Sequence, residues 1–207
     1  MAIAVHSDKE ADVSKRIIII QGHPDPKGEH FGHALAEAYA LGAEQAGHEL
    51  KRIAVAELEL PLLRGKEEWE SGAPSAAVRA CQAAIAWADH LVIVYPLWLG
   101  TMPAVLKAFF EQVLRPGFAI GAAEPGKMWK KLLKGKSARI VVTMGMPAFF
   151  YRWYFRAHSL KSLERNILAF CGVDPIKASL IGMVDAKDNA RRNTWLARMR
   201  KLGQAAR

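Results

Sequence analysis

The chain has 207 residues, of which 51% are hydrophobic and 24% charged, and it carries a formal net charge of +9. That length suits one sizeable domain with a core on both faces of a sheet, and the composition is that of a soluble globular protein. No apolar run approaches the roughly 20 residues that a bilayer crossing needs.

Met1 to Lys15 is polar and lacks the apolar core of a secretory signal. It reads as a loose extension before a single domain spanning 16–207, and a cytoplasmic location is expected. Cys81 and Cys171 sit in apolar helical surroundings without metal-ligand spacing, so both are expected to be small buried thiols in a reducing compartment. The basic excess gathers in two clusters, Lys127, Lys130, Lys131, Lys134, Lys136 and Arg139, then Arg191, Arg192, Arg198, Arg200, Lys201 and Arg207. Such a surface attracts nucleotides, phosphates or an acidic membrane surface. Nucleic acid is not expected, because Trp129 and Trp195 are single aromatics within these clusters.

In chain order, Arg16–Ile20 is a β-branched run too continuous for a half-exposed strand. His33 to Ala46 follows with a helical Ala/Leu/Glu pattern that Gly47 ends. Glu49 to Val55 reads as a second strand, and Pro74 to Ala88 as a helix opened by proline. Leu91 to Tyr95 is a third strand, Pro103 to Leu114 a helix, and Ala138 to Thr143 a fourth strand. Leu160 to Phe170 is helical, Pro175 to Ile181 is a fifth strand, and Ala190 to Leu202 closes the chain as a helix. Five apolar strands alternating with helices imply parallel pairing, right-handed crossovers and helices on both faces. The fold class is a doubly wound five-stranded parallel sheet in a three-layer α/β/α sandwich.

In such a sheet a ligand sits outside the carboxyl ends of the strands, where the strand order reverses. Three strand ends carry unusual segments. Gln21-Gly22-His23-Pro24-Asp25-Pro26-Lys27-Gly28-Glu29-His30-Phe31 runs into a helix whose first amides suit a phosphate, with Lys27, His23 and His30 as further donors. It carries neither the Rossmann glycine fingerprint nor the P-loop pattern. Tyr95-Pro96-Leu97-Trp98-Leu99-Gly100-Thr101-Met102-Pro103 is apolar and stiffened by two prolines, a shape that presents backbone groups to a flat heterocycle. Thr143 to His158 concentrates Phe149, Phe150, Tyr151, Trp153, Tyr154 and Phe155, with Tyr151 and His158 as proton-bearing groups past a strand end.

Together these segments resemble the NAD(P)H:quinone oxidoreductase family of flavodoxin-like flavoproteins, over roughly Arg16 to Leu202. The most specific stretch is Tyr95 to Leu114, Y-P-L-W-L-G-T-M-P-A-V-L-K-A-F-F-E-Q-V-L, with H-F-G-H-A-L-A at His30 to Ala36 and L-x-F-C-G at Leu168 to Gly172. The resemblance implies a flavodoxin-like fold and a bound flavin, FMN with FAD possible. It also implies NAD(P)H as donor, a quinone or similar electrophile as acceptor, and a homodimer. Carried over by position, His23, His30 and Phe31 would hold the flavin's phosphate and ribityl chain. Pro96, Leu97, Trp98 and Leu99 would line the isoalloxazine with backbone amides, and Thr143, Met144, Gly145 and Met146 would touch its pyrimidine end. Tyr151 matches the family tyrosine beside the flavin, and His158 lies about one position from the family histidine. Both are the implied catalytic residues. The chain departs from the family's usual Thr-Thr-Gly-Gly at Thr143–Met146, and His30 and Gly32 stand where many members have Ser and Asn or Cys. Two rival readings accompany this one: a flavodoxin-type electron carrier, and a redox-sensing subunit docked on a membrane transport system, which the basic clusters would suit.

Overall fold

The computed structural model describes residues 14–121, 126, 129–186 and 188–207. The first thirteen residues of the expected extension, and Lys127 of the first basic cluster, lie outside them. Strands β1 (Arg16–Gln21), β2 (Glu49–Ala54), β3 (His90–Pro96), β4 (Ser137–Thr143) and β5 (Ile176–Ile181) form one all-parallel sheet in the order β2-β1-β3-β4-β5. The helices are α1 (Phe31–Gln45), α2 (Lys66–Glu70), α3 (Ala76–Trp87), α4 (Ala104–Val113), α5 (Ala148–Trp153), α6 (His158–Lys161), α7 (Ala169–Cys171) and α8 (Asn189–Gln204). A π-helical stretch, Ser162–Leu168, joins α6 to α7.

Strand side chains alternate between faces, and here both faces are buried. Ile17, Ile19, Val92, Val94 and Val141 pack with Leu35 and Tyr39 of α1 and Met199 of α8. Ile18, Ile20, Leu91, Ile93, Ile140 and Val142 pack with α3, α4 and the α6–α7 segment through Val78, Ile85, Leu106, Phe109 and Leu163. Each fully buried side chain of this kind contributes about 1.5–3 kcal/mol, which is why the continuous apolar runs become central strands. Helices α1 and α8 cross at their glycines. A Cβ on Gly42 would stand 2.0 Å from the Arg200 carbonyl oxygen, and one on Gly203 would stand 2.0 Å from that of Tyr39.

Local boundaries moved where a side chain supplies a cap. The helix expected from Pro74 starts at Ala76, because the Ser75 Oγ accepts from the Val78 amide at 3.2 Å and fixes Ser75 as N-cap. Asp188 caps α8 in the same way, accepting from the Arg191 amide at 3.0 Å. The expected 160–170 helix runs from His158 to Cys171 with its π-helical middle. The short helices α2 and α5 were not anticipated, since five or six residues are too few for a 3.6-residue period to register.

Both cysteines are free and buried, and burial pushes the Cys171 thiol up to about 11. The first basic cluster is not wholly a solvated face. Lys136 donates its ammonium to the Ala86 and Ala88 carbonyls at the end of α3. Arg139 lies on β4 at 5% exposure, donating to the Arg207 carbonyl and, at 3.0 Å, to Ser179 Oγ. His90 is equally enclosed beside them, with Nδ1 2.7 Å from Ser137 Oγ and Nε2 without a partner. Burial holds its pKa down to about 3.

Candidate functional site

The strand order reverses between β1 and β3, and the loops that follow β1, β3 and β4 meet there. They enclose a cavity of about 430 Å³. From the first loop come His23, His30 and Phe31; from the second, Pro96, Leu97 and Trp98; from the third, Thr143, Met144 and Gly145. Nine of the positions singled out from sequence as cofactor-binding thus line one cavity. Pairing places them: Gln21 aligns with Val94 on β3, and Pro96 aligns with Thr143 on β4, so all three chains leave the sheet side by side.

The floor of the cavity is the N-terminus of α1. His30 is its N-cap residue and offers no side-chain cap, so the first-turn amides of Phe31 and Gly32 are left for an external acceptor. Three histidines stand around that terminus. The rings of His23 and His30 stack at 3.8 Å, and His33 lies 5.3 and 5.8 Å from them. His23 Nδ1 accepts the Asp25 amide at 3.0 Å, which puts the ring proton on Nε2 in the neutral form. His30 pairs with Asp25 at 2.9 Å, and this bond, with the Lys27 amide, holds the Asp25 carboxyl below its ordinary value. Burial, then the neighbouring His30, lowers the pKa of both His23 and His33. His33 Nδ1 is buried without a partner. Buried donors beside a bare helix start are suited to an anion, whose charge would offset the repulsion that holds the protonated forms of His23 and His33 down. Among the described residues no group is arranged to hold a metal ion.

The β3 loop is a tight turn. Trp98 and Thr101 bond each other's amides at 2.9 and 3.0 Å, while Leu99 and Gly100 take positive φ values of 46° and 78°. Glycine adopts that region freely, whereas leucine there is strained. The Leu97 amide donates to the Thr143 carbonyl at 2.7 Å. Two of the amides expected to meet a flat ring, those of Leu97 and Trp98, are therefore engaged within the protein, and the turn leaves those of Leu99 and Gly100. Trp98 is half-exposed and meets His23 edge-on at 5.8 Å.

Leu99 and Met146 lie outside the first cavity. They line a second one of about 350 Å³, together with Leu97, Tyr151, His158 and Ser159. Leu97 borders both cavities, so they adjoin. Tyr151 is 2% exposed; its hydroxyl sits 2.7 Å from Ser159 Oγ and accepts the Leu160 amide at 3.2 Å. His158 opens α6 on the exposed side of the same cavity.

Five residues lining the first cavity, Glu29, Gly32, Val184, Asp185 and Arg192, were not among the site residues named from sequence, and two of them carry charges brought from β5 and α8. Asp185 follows β5, and its Oδ2 would lie 2.8 Å from a Cβ built on Gly145, so only glycine fits there without displacing it. Arg192, on α8, donates to the Val184 carbonyl at 3.2 Å and lies with its guanidinium 5.0 Å from the Phe31 ring. The strand-end rule applied to β5 would have found Asp185. Arg192 sits one turn into a helix distant in sequence, and only the packing of α8 on α1 brings it here.

A bare helix start, three histidines, an arginine and a glycine whose Cβ would crowd Asp185 meet in one cleft, which defines a class: a doubly wound α/β protein with its cleft at the switch point of the sheet. The family described as having a flavodoxin-like fold matches residues 15–202, and the chain belongs to it. It is 26% identical over 183 residues to an uncharacterized NAD(P)H oxidoreductase of Haemophilus influenzae, across 86% of this chain and 89% of that protein. It is 27% identical over 155 residues to a ribosyldihydronicotinamide dehydrogenase-like protein of Penicillium crustosum, where the match takes in 63% of this chain and 57% of the relative's length. The solved NAD(P)H:quinone oxidoreductase of Methanothermobacter marburgensis superposes with a TM-score of 0.79 at 25% identity, covering 92% of this chain and 98% of that one.

Proposed function

We propose that the protein is an FMN-dependent NAD(P)H oxidoreductase that reduces a quinone or a similar small electrophile. The observation that carries the reading is the cavity at the switch point, with a phosphate-suited helix start at one end and an apolar tryptophan turn at the other. The names of the relatives point the same way. When bound, the flavin supplies the two-electron chemistry, accepting hydride from the nicotinamide nucleotide and passing it to the acceptor.

The chain's own residues would divide the work. The Phe31 and Gly32 amides, His23 and His30 hold the phosphate, and Arg192 adds a fixed positive charge beside Phe31. Trp98 covers one side of the heterocycle, and Thr143, Met144 and Gly145 border its edge. Tyr151 and His158 stand in the adjoining cavity, where a donated hydrogen bond would stabilise charge that develops on the ring edge. The two adjoining cavities suit donor and acceptor taking turns in one place. Among the described residues the histidines and Arg192 gather around one helix start, and the flavin proposed is FMN.

The reading includes a homodimer. Among the described residues no helix is long and apolar enough to cross a membrane, and a cytoplasmic location is part of the proposal. The test is the visible spectrum of the purified protein before and after anaerobic NADPH. Flavin bands that bleach support the reading. Bands that persist with either nicotinamide nucleotide point to an electron carrier or a redox sensor, and a protein that stays colourless with FMN and FAD removes the flavin altogether.

A further inference from the structure

The cavity at the start of α1 is short of fixed positive charge. Among the described residues that line it, Glu29 and Asp185 are acids and Arg192 is the one permanent cation. The loops after β3 and β4 bring Pro96, Leu97, Trp98, Thr143, Met144 and Gly145, none of them charged. Lys27 is exposed and outside the lining, and its backbone amide donates to Asp25 at 3.0 Å. A phosphate terminus carries close to two negative charges at neutral pH. Two acids and one arginine leave that charge uncompensated.

The remaining polar side chains around the helix start are histidines. His23 and His30 stack at 3.8 Å with their planes 19° apart, and His33 stands behind them at 5.3 and 5.8 Å. Burial, and then the neighbouring rings, disfavour a charge on His23 and on His33. Asp25, 2.9 Å from His30, offsets part of this repulsion. Imidazoles in such contact titrate as a group, so a proton taken up belongs to the cluster rather than to one ring. An anion seated on the Phe31 and Gly32 amides favours the cationic form of the whole stack, and the stack then supplies the charge that Arg192 alone lacks. A lysine in place of His30 would offer its charge throughout the neutral range, whereas an imidazole offers it only after taking up a proton.

We infer that His23, His30 and His33 make the cavity a proton-linked phosphate site, which takes up a dianionic phosphate terminus together with a proton and holds it more tightly on the acid side of neutrality. This coupling rests on the reading of the α1 start as the phosphate end of the cleft, and it needs no turnover. Binding favours the protonated cluster, so the cluster keeps its proton to higher pH when the anion is present. Affinity is therefore lowest above the titration of the bound form, rises as pH falls through it, and levels off below the titration of the free form. Because His23 and His33 are held below the ordinary imidazole range, that rise extends to the acid side of neutrality.

The test is histidine ring-proton NMR of the full chain without added flavin, between about pH 8 and about pH 5.5 at fixed ionic strength, with sulfate as the probe. Sulfate keeps its two charges across this range, so any change in its affinity reports protons on the protein. Sulfate should raise the titration midpoints of the cluster, and its affinity should grow toward acid pH by about tenfold for each unit of that rise. H30S/H33N should flatten the profile to the pH-independent affinity of the amides and Arg192, with a melting curve to show that α1 is intact. In the flavin-loaded protein, FMN should be retained more tightly at about pH 6.5 than at about pH 8.5, both above the second phosphate ionisation near 6, while riboflavin is indifferent. Sulfate that fails to bind at any pH, or binds equally at all of them, overturns the proposal. So does a pH dependence that H30S/H33N leaves intact. A chain that shows the sulfate linkage yet binds neither FMN nor riboflavin upholds the proton-linked site and removes the flavin, and a flavin-binding chain with a flat sulfate profile does the reverse.

Discussion

Replacing Tyr151 by phenylalanine separates a chemical role from a structural one. The tyrosine hydroxyl accepts the Leu160 amide and exchanges a hydrogen bond with Ser159 Oγ, at 3.2 and 2.7 Å, in a setting that is almost fully enclosed. Y151F leaves the Leu160 amide unpaired, a stability cost of about 1–3 kcal/mol. If the hydroxyl also donates to charge developing on a bound ring, its loss raises the barrier of the reductive step by about 3 kcal/mol, a rate about 150-fold slower. S159A is the companion variant. It removes the serine partner of the Tyr151 hydroxyl and leaves the hydroxyl in place, so it should cost stability without slowing reduction. The assay is anaerobic stopped-flow bleaching of the flavin at saturating NADPH, alongside urea unfolding. A Y151F rate within about twofold of the parent, with flavin still bound, would refute the chemical role and leave Tyr151 as the clasp that positions α6.

R192A should weaken FMN retention by about tenfold to 100-fold, as expected for a hydrogen bond to a charged group. It should change riboflavin binding little, and equal losses for the two ligands would place Arg192 away from the phosphate. His90 ties stability to pH: the folded protein keeps it neutral down to about 3, whereas the unfolded chain takes up a proton near 6.5. Its contribution is therefore complete above that value and falls by about 1.4 kcal/mol per unit below it, reaching about 2 kcal/mol by pH 5. H90F should flatten the urea-unfolding profile by that slope, and a parallel profile would contradict the assignment. G42A should destabilise by about 1–3 kcal/mol despite the better helix propensity of alanine, because the obstructing atom is the backbone oxygen of Arg200. Thermal melts decide it, and a neutral G42A would mean that α8 can shift.

The aromatic residues that follow β4 do not all serve the cleft. A cleft that excludes water favours transfer between stacked rings, yet Trp153 and Phe149 lie outside it in solvent. Their placement follows from α5, a six-residue helix held at its start by the Pro147 carbonyl accepting from Phe150 at 3.0 Å, and followed by positive φ at Arg156 and Ala157. Two successive non-glycine residues in the left-handed region are costly. Here they turn the chain back so that Ala157 and Leu160 enter the core while the preceding rings stay out.

Much of the molecule was legible before its coordinates. Runs such as Arg16–Ile20 and Leu91–Tyr95 had to be central strands of a parallel sheet, because nothing else buries so continuous a β-branched or aliphatic stretch on two faces. Their spacing by helical segments then set the topology, and the topology named the strand ends where His23, Trp98 and Gly145 sit. Other features have no local signature. The stacked His23–His30 pair, the withdrawal of the Leu97 and Trp98 amides into the protein, and the arrival of Arg192 beside Phe31 each depend on how separate segments meet. The same holds for the burial of Arg139 and the pairing of Lys136 with the end of α3, where composition alone assigned both to the surface. Periodicity reports which face of an element is buried. Which polar groups find partners, and which remain free for a ligand, is decided only when the packed layers bring distant residues within hydrogen-bonding distance.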